Sequence, residues 1–283
     1  MKTLVSTSEV AQHLRDPRVV IVDVRHDLAQ PENWGLDRYR EAHVPGAQFV
    51  HIDRDLSAPK TGQNGRHPLL SPDAAAALFS RLGIDESKQV LVYDQNGGMF
   101  ASRLWWMLRW LGHESVALMD GGFDRWMREQ RPVTAEIAGF TPATFIARPE
   151  AGTVDTEAVA EGLDTRAHTL LDARAPERYR GELEPFDPVA GHIPGALNRF
   201  YGNNLTAEGT FKPAETLRRE FAQLLGETPL DDVVHYCGSG VTACHNLLAM
   251  EVAGLPGTRI YPGSWSEWCA LHPTLNGVPA RTA

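Results

Sequence analysis

Val233-Val234-His235-Tyr236-Cys237-Gly238-Ser239-Gly240-Val241-Thr242-Ala243 is the stretch that decides the fold. Its first residues are apolar and β-branched, the composition of a buried strand, and an Ala/Leu-rich helical pattern begins at Ala243. Between them the chain turns through small residues. A strand, a tight turn and a helix in that order make one unit of an α/β sheet. Cys237 sits at the turn, where backbone N–H groups and the positive end of the following helix favour a thiolate, the reactive form of cysteine. Cys244, inside the following helix, and Cys269, beside Trp268, have no such glycine-lined surroundings and read as inert, buried thiols.

Working outward, the same pattern occurs twice. Val20-Ile21-Val22-Asp23-Val24-Arg25 matches Leu170-Leu171-Asp172-Ala173-Arg174, and His43-Val44-Pro45-Gly46-Ala47 matches His192-Ile193-Pro194-Gly195-Ala196. Val92-Tyr93-Asp94 then matches His235-Tyr236-Cys237, and Gly121-Gly122-Phe123 with Trp126 matches Gly263-Ser264-Trp265 with Trp268. Repeats in constant order and near-constant offset mean a duplicated domain.

In the first copy the pattern predicts a helix opening at Ser8, strands over 19–24, 89–93 and 116–119, a helix capped by Ser71-Pro72-Asp73, and helices over 99–111 and after Gly122. In the second it predicts an N-cap at Asp155 and strands near 169–172 and 232–236. Residues 138–152 are rich in Pro, Gly, Thr and Ala without a clear period and read as a linker. The expected architecture is α/β: a domain over 1–137 that lacks the cysteine and a catalytic domain over 153–283, each a mainly parallel sheet flanked by helices.

The chain of 283 residues is long enough for two cores. Hydrophobic content of 42%, charged content of 22% and a net charge of −9 fit a soluble protein and argue against nonspecific nucleic-acid binding. No apolar stretch approaches a membrane span and the N-terminus has no signal core, so a cytosolic protein is expected. Three cysteines with no Cys-x-x-Cys pair build neither a disulfide framework nor a zinc site; no metal or cofactor is expected.

The Asp-x-Arg strand ends, the paired His-x-Pro-Gly-Ala motifs, Arg178-Tyr179-Arg180-Gly181 and Gly263-Ser264-Trp265 with Trp268 together resemble the two-domain rhodanese-family sulfurtransferases over both halves. The Cys-Gly-Ser-Gly-Val-Thr loop resembles the mercaptopyruvate-type version rather than the basic loop of thiosulfate-preferring members. The resemblance implies that Cys237 takes a sulfur atom from a small donor as a persulfide and hands it to a thiol or cyanide, with the N–H groups of Gly238, Ser239, Gly240, Val241 and Thr242 stabilising the sulfur anion. It makes Arg178 the arginine for the donor's carboxylate or sulfonate, since a guanidinium fork binds two oxygens at once. It also joins Ser239 to His67 and Asp53 as a proton-transfer triad. Taken without the resemblance, the same four residues read as an exposed helix arginine, a turn serine, a loop histidine before Pro68 and a surface aspartate.

One position departs from the family pattern. Mercaptopyruvate-type members carry a second substrate arginine after a Glu-Pro pair, whereas Glu184-Pro185 is followed here by Phe186-Asp187. A keto-acid donor should be held more weakly, which leaves both 3-mercaptopyruvate and thiosulfate as donors. Related folds that act as phosphatases need Cys-x5-Arg, and Ala243 occupies that arginine position. Two rival functions use the same fold without sulfur transfer: a non-catalytic binding module and a Cys237–Cys244 redox sensor. The retained cysteine loop disfavours the first, and the direction of the helix disfavours the second.

Overall fold

A computed structural model describes residues 2–137 and 139–272. Ala138, the first residue of the expected linker, and residues 273–283 of the expected catalytic domain lie outside the described residues. The chain forms two compact units: Met1–Ala58 with Leu70–Ala151 and Ala207–Phe211, and Pro59–Leu69 with Gly152–Thr206 and Lys212–Ala283.

The first unit is built on strands β1 (Leu4–Val5), β2 (Val19–Asp23), β3 (Ala47–Phe49), β4 (Gln89–Tyr93) and β5 (Val116–Met119), all parallel in the order β1-β5-β4-β2-β3. Residues Val20–Asp23 and Val90–Tyr93 are buried on both faces, which is why these strands are continuous apolar runs rather than alternating ones. Helices α1 (Thr7–Gln12), α2 (Trp34–Glu41), α3 (Pro72–Arg81), α4 (Ala101–Trp110) and α5 (Gly122–Arg128) connect and flank them. The first helix opens at Ser6 rather than Ser8, because Ser6 and Glu9 form a reciprocal capping box: the Ser6 side chain accepts the Glu9 N–H while Glu9 accepts the Ser6 N–H.

Residues 139–151 carry no regular element, as their composition predicts, yet they are fastened to this unit. Ala143 N–H donates to Ser80 O, Arg148 N–H to Leu111 O and Glu150 N–H to Trp110 O, and Phe145 is buried edge-on against Phe79.

The second unit repeats the design. Strands β6 (Thr169–Asp172), β7 (Leu197–Asn198), β8 (Val233–Tyr236) and β9 (Arg259–Ile260) are parallel in the order β7-β6-β8-β9, and Thr153 adds a parallel bridge to Ile260. Helices α6 (Thr156–Thr165), α7 (Pro176–Tyr179), α8 (Ala214–Leu225), α9 (Ala243–Val252) and α10 (Ser264–Leu271) complete it. Asp155 caps α6 by accepting the Ala158 N–H. Trp265 and Trp268 are fully buried in this core, as Trp126 is in the first.

The duplication extends to individual contacts. Arg25 pairs with Asp23 and donates to Ala42 O in the first unit; Arg174 pairs with Asp172 and donates to Gly191 O in the second. His43 stacks on Tyr39 at 3.9 Å and bonds its carbonyl, and His192 does the same with Tyr179 at 3.9 Å. Tyr39 and Tyr179 donate to Ala47 O and Ala196 O. One difference stands out. Tyr39 and His43 are four residues apart, while Tyr179 and His192 are thirteen apart, so the second unit inserts a loop within an otherwise identical contact. No helix among the described residues is long and apolar enough to cross a membrane.

Candidate active site

β8 ends at Tyr236 and α9 begins at Ala243, so Cys237 lies at the carboxyl end of a central parallel strand, where open α/β sheets place their ligands. The N–H groups of Ser239 and Gly240 donate to Cys237 Sγ at 3.4 and 3.1 Å. A second set of bonds fixes the cysteine backbone. Cys237 N–H donates to Ser264 Oγ at 3.1 Å, Trp265 N–H donates to Cys237 O, and Ser266 N–H donates to Gly238 O. Ser264 holds φ at 57°, a left-handed value costly for a non-glycine residue, and Gly122 at the matching position of the first unit has φ 61°. Serine tolerates the strain because its hydroxyl anchors the cysteine turn.

Segment Pro59–Leu69 belongs to the same compact unit as Cys237. Gly65, with φ +80°, presses against α10 so closely that a Cβ there would lie 2.9 Å from Gly263 O, and Arg66 N–H donates to Ser266 Oγ. These contacts deliver two side chains. His67, buried, is hydrogen-bonded through Nδ1 to Ser239 Oγ at 2.7 Å. Arg66 donates through Nε and Nη2 to the two carboxylate oxygens of Asp187 at 2.9 and 3.2 Å.

Arg178, on α7, donates to Glu184 through Nε and Nη2 at 3.3 and 2.6 Å and to Asp187 at 3.4 Å. Arg174 forms the buried ion pair with Asp172 and also reaches Glu184 at 3.2 Å, while Arg180 is exposed and paired with Glu182. The structure thus brings Cys237, Gly238, Ser239, Gly240, His67 and Arg178 into one unit. Asp53 belongs to the other unit, where its Oδ2 is 3.7 Å from His26 Nε2.

The remaining thiols and histidines have other work. Cys244 donates weakly to Gly240 O, and burial pushes the Cys269 thiol up to about 12, with the Asp187 charge adding to it. Burial holds His235 down at about 3, a neutral strand residue unsuited to act as a base. His26, His51 and Asp53 place donor atoms within 4.8 Å of one another. Both ring nitrogens of His51 are nevertheless committed, Nδ1 to the Asp53 and Arg54 N–H groups and Nε2 to Pro31 O, so the cluster offers no ligand set for a metal.

Asp94 is the first unit's counterpart of Cys237. Its carboxylate accepts the N–H groups of Gly98, Phe100 and Ala101, and Phe123 N–H donates to Asp94 O as Trp265 N–H does to Cys237 O. Both loops cradle an acceptor atom, an oxygen pair in one and a sulfur in the other.

The chain is thus a duplicated parallel α/β protein with a cradled thiol at the carboxyl end of a central strand of its second sheet. Residues 6–129 and 155–271 each match the family model for the rhodanese-like domain, and the chain belongs to that family. It is 44% identical to a probable 3-mercaptopyruvate sulfurtransferase of Pseudomonas aeruginosa over 94% of each chain. It is 36% identical to a thiosulfate sulfurtransferase of Cricetulus griseus over 94% of this chain and 92% of that one. The solved 3-mercaptopyruvate sulfotransferase of Escherichia coli superposes with a TM-score of 0.81 at 30% identity, over 94% of this chain and 99% of that one. The protein is a sulfurtransferase with two rhodanese-like domains.

Sequence reasoning did not find Arg66, Ser264 or the acids that hold the arginines. Arg66 stands beside His67 in sequence, but its role depends on residues 59–69 packing with the second unit, for which no periodicity gives a signal.

Proposed function

We propose that the chain transfers the sulfur of 3-mercaptopyruvate through a persulfide on Cys237 to a small thiol, with cyanide as a substitute acceptor. The observation that carries this reading is the 2.7 Å bond between Ser239 Oγ and His67 Nδ1 beside the cysteine loop. Mercaptopyruvate needs a proton moved. Cys237 thiolate attacks the donor sulfur, the S–C bond breaks, and its electron pair passes to carbon as the enolate of pyruvate. The proton leaving the donor's thiol is carried by the Ser239–His67 pair to that carbon, and Cys237 is left as the persulfide anion. An acceptor thiol then takes the outer sulfur, and Cys237 returns to thiolate. Thiosulfate releases sulfite, which needs no such proton, so a hydroxyl–imidazole pair would be idle with it.

The N–H groups of the loop from Gly238 to Thr242 are assigned to the persulfide anion and Arg178 to the donor carboxylate. On family resemblance Asp53 is assigned as the carboxylate that orients His67. All three cysteines are free thiols, which suits a reducing compartment such as the cytosol.

Steady-state kinetics with 3-mercaptopyruvate and thiosulfate side by side, cyanide as acceptor and Cys237→Ser as blank, test the reading. A kcat/KM advantage for 3-mercaptopyruvate is expected. A preference for thiosulfate overturns the donor, and transfer that survives in Cys237→Ser overturns the mechanism.

A further inference from the structure

We propose that Arg66 is a specificity-determining residue that completes, with Arg178, a two-guanidinium clamp for the donor's carboxylate. The inference rests on the reading above and assigns a residue that the position after Glu184-Pro185 does not supply.

Three observations carry it. First, both guanidinium groups converge on the residue that follows the nucleophile: a Cβ placed on Gly238 would lie 2.7 Å from Arg66 Nη2 and 3.2 and 3.3 Å from Arg178 Nη2 and Nη1. A short keto acid whose sulfur meets Cys237 has its carboxylate within that reach, and glycine at 238 keeps the space open.

Second, the two arginines are held as a pair. The ring of Phe186 lies 5.2 Å from Arg66 Cζ and 5.0 Å from Arg178 Cζ, and Asp187 accepts from both. Phe186 thus stands where a second arginine was expected and supports one that arrives from elsewhere in the chain.

Third, the charges are layered. Asp187 and Glu184 have side chains only 2% and 4% exposed, whereas Arg66 and Arg178 are 26% and 15% exposed. The acids lie underneath and fix the forks through Nε and Nη2, so the solvent-facing layer is cationic. Nη1 of each arginine takes no part in those bonds.

The test compares 3-mercaptopyruvate with mercaptoacetone, which undergoes the same C–S cleavage but has no carboxylate, in the unmutated protein, Arg66→Gln and Arg66→Lys. The expected result is a fall on the order of 10- to 100-fold in the ratio of the two kcat/KM values for Arg66→Gln, appearing mainly in KM, with an intermediate ratio for Arg66→Lys because charge returns without the fork. A ratio that stays within about twofold in both variants overturns the assignment, whether both activities are unchanged or fall together, because a purely structural role lowers both donors alike. Absence of transfer from 3-mercaptopyruvate in the unmutated protein overturns the parent reading, and this one with it.

Discussion

At the scale of residues, the site is a set of atoms aimed at one sulfur: two N–H donors on Cys237 Sγ, a hydroxyl on its backbone N–H, and a serine–histidine pair beside it. The Ser239 hydroxyl has a donor-dependent consequence. Ser239→Ala removes the hydroxyl proposed to relay the proton and should lower kcat with 3-mercaptopyruvate by about 10²- to 10⁴-fold, while thiosulfate turnover falls by less than about tenfold. Equal losses with both donors would show that Ser239 only shapes the loop. The strand–turn–helix setting of Cys237 was legible in the sequence because its glycines, the preceding apolar strand and the following helix are local signals. Arg66 was not legible, since a guanidinium is assigned by what it faces, and Asp187 lies more than a hundred residues away in the chain.

Among the elements, strand and helix positions followed from apolar runs and caps, and β4, β5 and β6 run as the sequence predicts. The start of α1 differs from the expected Ser8 because Ser6, and not Ser8, has the glutamate three residues on that completes the box. The loop after β4 carries a titration of its own. Burial raises the Asp94 carboxyl to about 6, against the lowering effect of the N–H groups of Ala101, Phe100 and Gly98, and the charge of Asp23 adds to the rise.

Between the usual value of 3.8 and about 6, the folded protein binds a proton that the unfolded chain does not, so this group's contribution to stability falls as pH rises through that window. The full effect is at most about 3 kcal/mol. Asp94→Asn carries no such titration and bears a pH-independent cost for the accepted N–H bonds it cannot replace. Urea unfolding at pH 4 and pH 7 should therefore show the variant gaining on the unmutated protein at the higher pH. An unchanged difference would mean that the carboxylate is charged in the fold at both.

For the whole molecule, the duplication gives two cradled loops and one cradled thiol. Treating the protein with 3-mercaptopyruvate and no acceptor should add one sulfur atom per chain, found by mass spectrometry on the peptide containing Cys237 and absent from Cys237→Ser. Cys244 is buried in α9, and Cys269 remains a protonated thiol near neutral pH. Sulfur retained on either would contradict this count.

The repeat itself was plain in the sequence because its motifs keep their order. The assignment of residues 59–69 to the second unit and 207–211 to the first was not, since such exchanges are made by tertiary contacts rather than by pattern. The longer spacing from Tyr179 to His192 has a consequence for how such a protein diversifies. The first unit closes the same ring stack with four residues, so the fold does not require the extra backbone that carries Glu184, Phe186 and Asp187. That stretch can therefore change in length and sequence while both cores and the cysteine turn are kept, and the support that Glu184, Phe186 and Asp187 give to Arg66 and Arg178 would change with it.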